Sequence, residues 1–227
     1  MPINAHIHLH AQGASDSARS AGSAMGPGSH PAVSATPPGI EQFMGMTNQD
    51  LTARYARGVE CLDRRAVQLS TQQADTAFLA SAGVGRWPAR VLVGHLADAE
   101  LVFVHRMRRA VAEENPLLAI FDEQAFIDSG LYGVVSADPT KAVCVPAHSP
   151  PIAGFVAVIY SLRRWTSEWL ASLSPKQWDR GCLHPERGPQ TVRKIAEYTT
   201  WHLEHHAWYL NRKIARLLGG PGDEARS

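Results

Sequence analysis

The sequence predicts an all-α protein: a four-helix bundle with a long crossover loop and a disordered N-terminal tail. Three observations carry that prediction. Apolar residues recur at three- and four-residue spacing through four segments of about 20–28 residues, and no run of any length alternates at the period of a strand. One long interval, residues 116–150, separates the second segment from the third, as in bundles with a crossover connection. The first 45 residues are unlike everything that follows.

Composition bounds the rest. Of 227 residues 44% are hydrophobic, enough for a real core, and the formal charge of +1 leaves no electrostatic reason for a nucleic-acid or acidic-membrane partner. No run approaches the roughly 18–20 consecutive apolar residues of a membrane span. Cys61, Cys144 and Cys182 contain no C-x-x-C pair and cannot form a disulfide framework. A reducing cytoplasm is the expected compartment.

Taken in order, residues 1–45 contain 25 Ala, Gly, Ser or Pro, with Phe43 the only aromatic and Asp16, Arg19 and Glu41 the only charges. Such a stretch cannot offset the entropy of ordering its backbone, so it is expected to be a disordered tail. It lacks the basic and apolar regions of a secretory signal. Met44 or Met46 stands where the folded part begins and would serve as an alternative translation start. Residues 46–220 are expected to form one domain, with 221–227 a flexible C-terminus. Asn48 or Thr47 caps a first helix to about Ser70, carrying Leu51, Tyr55, Val59, Leu62, Ala66 and Leu69. Gly83 and Gly85 end any local helix, and Trp87-Pro88 opens a second that stops near Asn115-Pro116. Residues 116–150 hold six Gly or Pro and read as an irregular crossover, a length usually reserved for function. A third helix runs from about Ile152 to Leu173. A loop from Asp179 to Pro189 precedes the fourth, which starts at Gln190 or Thr191 and ends before Gly219.

The unusual count is histidine, eleven in all. His6, His8, His10 and His30 belong to the tail, where H-x-H-x-H is no more than a weak metal binder. On the fourth helix, at about 100° per residue, His206 lies roughly 40° and His202 roughly 80° from the centre of the apolar stripe on the same side, and His205 roughly 140° away. His202 and His206 can therefore converge inside the bundle. H-x-x-x-H alone also fits core histidines held by hydrogen bonds. His95, on the apolar face of the second helix between Leu92 and Leu96, shifts the balance: three buried imidazoles need a shared partner, and a divalent cation supplies it. Three neutral ligands leave a position open for water or substrate, as catalytic sites do. H-E-x-x-H is absent, so no built-in base follows from the motif; Glu204 faces outward and reads as solvated. Asp98 or Glu100 would be placed to orient an imidazole, and Arg106 to pair with a carboxylate or bind an anion.

These residues resemble a family. The block G-R-W-P-A-R-V-L-V-G-H-L-A-D-A-E, then F-D-E, H-P-E-R-G and W-H-L-E-H-H, in that order across about residues 48–218, resemble the DinB-like superfamily in its YfiT-type branch of metal-dependent hydrolases. The resemblance implies a four-helix bundle, a homodimer, and a divalent metal (Zn, Ni, Fe or Mn) held by His95, His202 and His206. It implies a small-molecule substrate and either hydrolysis or S-transfer from a low-molecular-weight thiol cosubstrate. A non-catalytic metal-binding dimer in a stress response is the alternative. The catalytic acid or base is not specified.

Other residues receive plainer readings. His184 serves a turn before the fourth helix or lines the pocket, His105 lies on the surface, and Cys182 is a small buried hydrophobe. Phe121-Asp122-Glu123 and Tyr132 sit on the crossover that would cap the pocket. Trp201 and Trp208 share an outward face of the fourth helix, to be covered by the crossover, the N-terminal segment or a second subunit.

Overall fold

The computed structural model describes residues 35–133 and 150–219. Within them stand four principal helices, α1 (Asn48–Arg57), α2 (Ala89–Ala112), α3 (Ile152–Ser172) and α4 (Val192–Leu218). A hairpin of β1 (Gly181–His184) and β2 (Gly188–Thr191) precedes α4. Helices α1 and α2 each pack against both α3 and α4, giving the expected four-helix bundle. None of the described helices is long and apolar enough to cross a membrane. The expectations for residues 1–34, 220–227 and His148 lie outside the described residues.

The first helix is much shorter than its periodicity indicates. Thr47 caps it by accepting from the Asp50 amide at 3.1 Å, and Leu51 and Tyr55 enter the core. It ends at Arg57, and the chain continues through 3-10 turns at Gly58–Cys61 and Arg64–Gln68 and a capped turn at Thr71–Ala74. Gly58 sits against Arg163 of α3, where an added Cβ would lie 2.1 Å from Nη1. Asp63 then restarts the chain by accepting from the Arg65 amide at 2.9 Å. A 3-10 helix repeats every three residues, so Val59, Leu62 and Ala66 keep a spacing that also suits an α-helix. That shared spacing is why the pattern overruns.

Two expected loops carry regular structure. The crossover holds a helix at Glu123–Asp128, capped by the Asp122 carboxylate on the Ala125 amide at 3.0 Å. Tyr132 then packs on α2 at Gly94, where a Cβ would meet the ring at 2.5 Å. The Asp179–Pro189 loop is instead the β1–β2 hairpin, closed by Gly188 at φ +68°. Its strands have four residues each, too short to show alternation. Backbone bonds from Leu118 to Leu183 (2.9 Å) and from Leu183 to Pro116 (3.0 Å) join the hairpin to the start of the crossover. Thr191 then caps α4 through the Lys194 amide at 3.2 Å.

The fold also begins before residue 46. Phe43 is fully buried, with the Arg54 guanidinium 3.9 Å from its ring centroid. The Pro38 carbonyl accepts from Trp201 Nε1 at 2.9 Å. The N-terminal segment thus covers Trp201, and the boundary drawn at residue 45 moves back to about Pro38, because one aromatic anchor is enough to order a polar segment.

Among the described residues the core has two large apolar parts and a small third one of Val91, Ile127 and Tyr132. One large part gathers Leu51, Phe103, Met107, Leu170 and Ile195; the other gathers Leu92, Leu96, Ile159, Leu210 and Ile214. Between them on α2, α3 and α4 lie the buried polar residues Glu100, Arg163, Thr199, His95 and His202. Arg163, with no exposed surface, donates to Glu100 (2.9 Å), the Tyr55 carbonyl (2.9 Å) and the Thr199 carbonyl (2.8 Å). Tyr55 donates its hydroxyl to the other Glu100 oxygen. Every charge in this layer is met, as burial requires.

Candidate metal centre

Helix geometry brings the three inward histidines to one point. One ring nitrogen from each of His95, His202 and His206 lies within 4.8 Å of the others. His95 Nε2 and His202 Nε2 are 3.1 Å apart. Two imidazoles bound to one cation at about 2.0–2.1 Å would place their nitrogens about 2.9 Å apart at right angles and about 3.4 Å apart at tetrahedral angles. The observed separation falls in that interval. His205, one residue before His206, turns instead toward the Pro38 carbonyl at 3.4 Å and takes no part.

The rings are held by aromatic neighbours. Tyr198 stacks on His202 (5.9 Å between centroids), Trp87 on His206 (6.0 Å) and Phe121 on His95 (6.2 Å), with Phe103 edge-on to His202 at 5.7 Å. In these dry surroundings burial lowers the proton affinity of His95 to about 4 and pushes those of His202 and His206 well down. The neighbouring imidazoles add to the effect on His202 and His206. All three are therefore neutral at pH 7, with lone pairs available. The donor set, its convergence and its neutrality fit a divalent cation.

One carboxylate joins them. Glu123, at the start of the crossover helix, places Oε2 3.8 Å from His95 Nε2, and burial raises its proton affinity. Sequence reasoning put F-D-E on a capping crossover but gave Glu123 no role, since no spacing rule relates a crossover residue to a helix face.

The other candidates go elsewhere. Neither carboxylate considered for orienting His95 does so: Asp98 accepts from the Tyr132 hydroxyl and Glu100 is committed to Arg163 and Tyr55. His95 Nδ1 is buried without a hydrogen-bond partner among the described residues. Glu204 is not solvated but forms a two-point pair with Arg54, both contacts at 2.8 Å. His184 is buried and serves the hairpin turn, its Nδ1 accepting from the amides of Glu186 (3.2 Å) and Arg187 (3.3 Å). His105 is exposed. Cys182 is buried against the Gln190 carbonyl, with burial pushing its thiol up. Arg106 pairs with no carboxylate among the described residues; its Nη2 donates to the Ala119 carbonyl at 2.8 Å.

Comparison with known proteins gives a family and a fold. A family model described as the DinB superfamily matches residues 40–210. A protein of Oceanobacillus iheyensis named "Putative metal-dependent hydrolase" is 28% identical over 185 residues, covering 79% of this chain and 95% of its own. The Bacillus subtilis protein named "Putative metal-dependent hydrolase YfiT" is 29% identical over 159 residues, covering 69% and 78%. Among solved structures, one described as "YfiT from Bacillus subtilis is a probable metal-dependent hydrolase with an unusual four-helix bundle topology" superposes with a TM-score of 0.57 at 24% identity, covering 74% of this chain and 86% of that one. At that identity the likeness speaks for the fold.

Proposed function

The chain belongs to the DinB superfamily, and from that premise we propose that it is a divalent-metal-dependent enzyme acting on a small molecule, with His95, His202 and His206 as the metal ligands. The observation that carries this reading is the convergence of three neutral imidazoles from two helices, with a carboxylate beside them. A divalent cation held there supplies Lewis acidity, which lowers the pKa of a bound water or thiol. Three protein ligands leave room for that nucleophile.

The chain's own residues supply the rest. Trp87, Phe121, Phe103 and Tyr198 fix the imidazole rings and shield their faces from bulk solvent. Glu123 Oε2, with its raised proton affinity, accepts a proton from the nucleophile and returns it to the leaving group. With water as nucleophile the reaction is hydrolysis, the reading that the relatives' names support. With a low-molecular-weight thiol as cosubstrate it is S-transfer. Cys182, held against a carbonyl, is not that thiol. A homodimer in the cytoplasm belongs to the same proposal.

Metal analysis tests the centre, on a chain beginning at Ser34 so that the tail histidines cannot contribute. About one ion per chain is expected in the wild type and little in His206→Ala; equal content in both would sink the assignment. Turnover of ester or amide substrates without thiol identifies a hydrolase. Metal-dependent conjugation of a cellular thiol to monochlorobimane identifies a transferase. Bound metal without either activity means a non-catalytic bundle.

A further inference from the structure

Beyond the histidines, two guanidinium groups that share one cleft, Arg106 and Arg187, have no carboxylate partner among the described residues. Arg106 lies on α2, three turns past His95, and is only 7% exposed. Apart from the bond from Nη2 to the Ala119 carbonyl, its N–H groups reach no described acceptor. Arg187, on the hairpin turn, holds its guanidinium 4.6 Å from the Tyr198 ring centroid, with Nη2 3.4 Å from the Tyr198 hydroxyl. His184 adds a third donor. Its Nδ1 accepts two backbone amides, so the neutral ring carries its proton on Nε2.

These groups face one another. Phe103, Arg106, Leu118, His184, Arg187 and Tyr198 line one small cleft. The charges act on each other there: beside burial, Arg187 lowers the proton affinity of Arg106, and both arginines lower that of His184. Glu186 acts on His184 and Glu123 on Arg187, but neither carboxylate forms an ion pair with the cluster among the described residues, and cations gathered at a partly buried site are costly until an anion binds them. The cleft also adjoins the histidines, because its walls Phe103 and Tyr198 are the rings packed on His202. On the other side, the charge of Arg187 acts on Glu123, the carboxylate beside His95. Its free space of about 20 Å³ admits about one water-sized group. One oxygen of an anionic head group fits that space. The flat fork of a guanidinium matches a planar carboxylate.

We propose that Arg106, Arg187 and His184 form a carboxylate-binding subsite that holds the anionic end of the substrate while its reacting group lies at the three histidines. This assigns the substrate class, small molecules bearing a carboxylate, and it rests on the reading of the histidines as a metal centre.

The test uses 13C-labelled acetate as the probe, with binding to the metal-loaded full-length protein followed by NMR. Arg106→Gln is expected to weaken acetate binding about tenfold, the scale of one charge-assisted hydrogen bond. Arg187→Gln, on an exposed turn where folding is not at stake, is expected to weaken it about fivefold, with Arg187→Lys recovering part of the loss. His206→Ala is expected to lose the metal and leave acetate affinity within about twofold. Acetate binding lost in His206→Ala but kept in both arginine variants would mean that acetate sits on the metal, and would overturn the subsite. Inorganic phosphate binding more tightly than acetate with the same arginine dependence would overturn the carboxylate assignment. Metal content unchanged in His206→Ala would overturn the metal reading alone, leaving the arginine variants to judge the subsite.

Discussion

His95 is 1% exposed, and burial lowers its proton affinity to about 4, whereas an imidazole of the unfolded chain titrates near about 6.5. Between those values the unfolded chain binds a proton that the folded chain refuses. Stability of the metal-free protein therefore falls as pH is lowered from about 6.5 to about 4, and His95 alone accounts for about 3 kcal/mol across that window. His202 and His206 act in the same direction. Denaturant midpoints of metal-free protein at pH 7.5 and pH 4.5 measure the fall, and a flat profile would contradict a buried neutral triad. Glu123 gives a second prediction at this scale. Glu123→Gln keeps the shape and removes the proton acceptor, so kcat is expected to drop about 100-fold with metal content unchanged. Loss of metal together with activity would show that Glu123 is a ligand instead.

Between elements, the connections are carried by single side chains. Arg163 on α3 ties α1 through the Tyr55 carbonyl, α2 through Glu100 and α4 through the Thr199 carbonyl. Arg163→Met leaves Glu100 buried with only hydroxyl partners, Tyr55 and Thr199. It is expected to cost about 3–5 kcal/mol in chemical denaturation. If the double variant Arg163→Met with Glu100→Leu is no more stable than the single one, the cost does not come from the uncompensated charge. At Gly94 the crossover rests directly on α2, and an Ala there meets the Tyr132 ring. Gly94→Ala is expected to destabilise by about 1–3 kcal/mol. Because Phe121 and Glu123 belong to the same crossover, activity should fall further than the Tm shift alone explains. An unchanged kcat/KM would show that the crossover's docking does not position the site.

For the whole molecule, the N-terminal boundary has a measurable consequence. A chain beginning at Met46 loses Phe43, the full burial it achieves beneath Arg54, and the cover over Trp201. It should be about 3 kcal/mol less stable than one beginning at Ser34, by analogy with the removal of a buried Phe. Equal Tm values for the two would show that the segment contributes nothing. The proposed homodimer is checked by sedimentation, which should report twice the 24.7 kDa chain mass.

Periodicity and residue type determined much of this protein. The bundle class, the bounds of α2, α3 and α4, and the inward positions of His95, His202 and His206 were legible because they follow from a fixed rotation per residue within one helix. The outward turn of His205 followed from the same rule. What the sequence could not decide depends on contacts between elements. Gly58, where helix α1 ends, leaves the space beside it to Arg163, and Glu123 reaches His95 because the crossover helix packs there. Glu204 finds Arg54, and Arg106 and Arg187 come to share a cleft, across separations in the chain that no local pattern encodes. Local geometry could place each histidine on its own helix; only the packing of α2 against α4 decides that their nitrogens meet at one point.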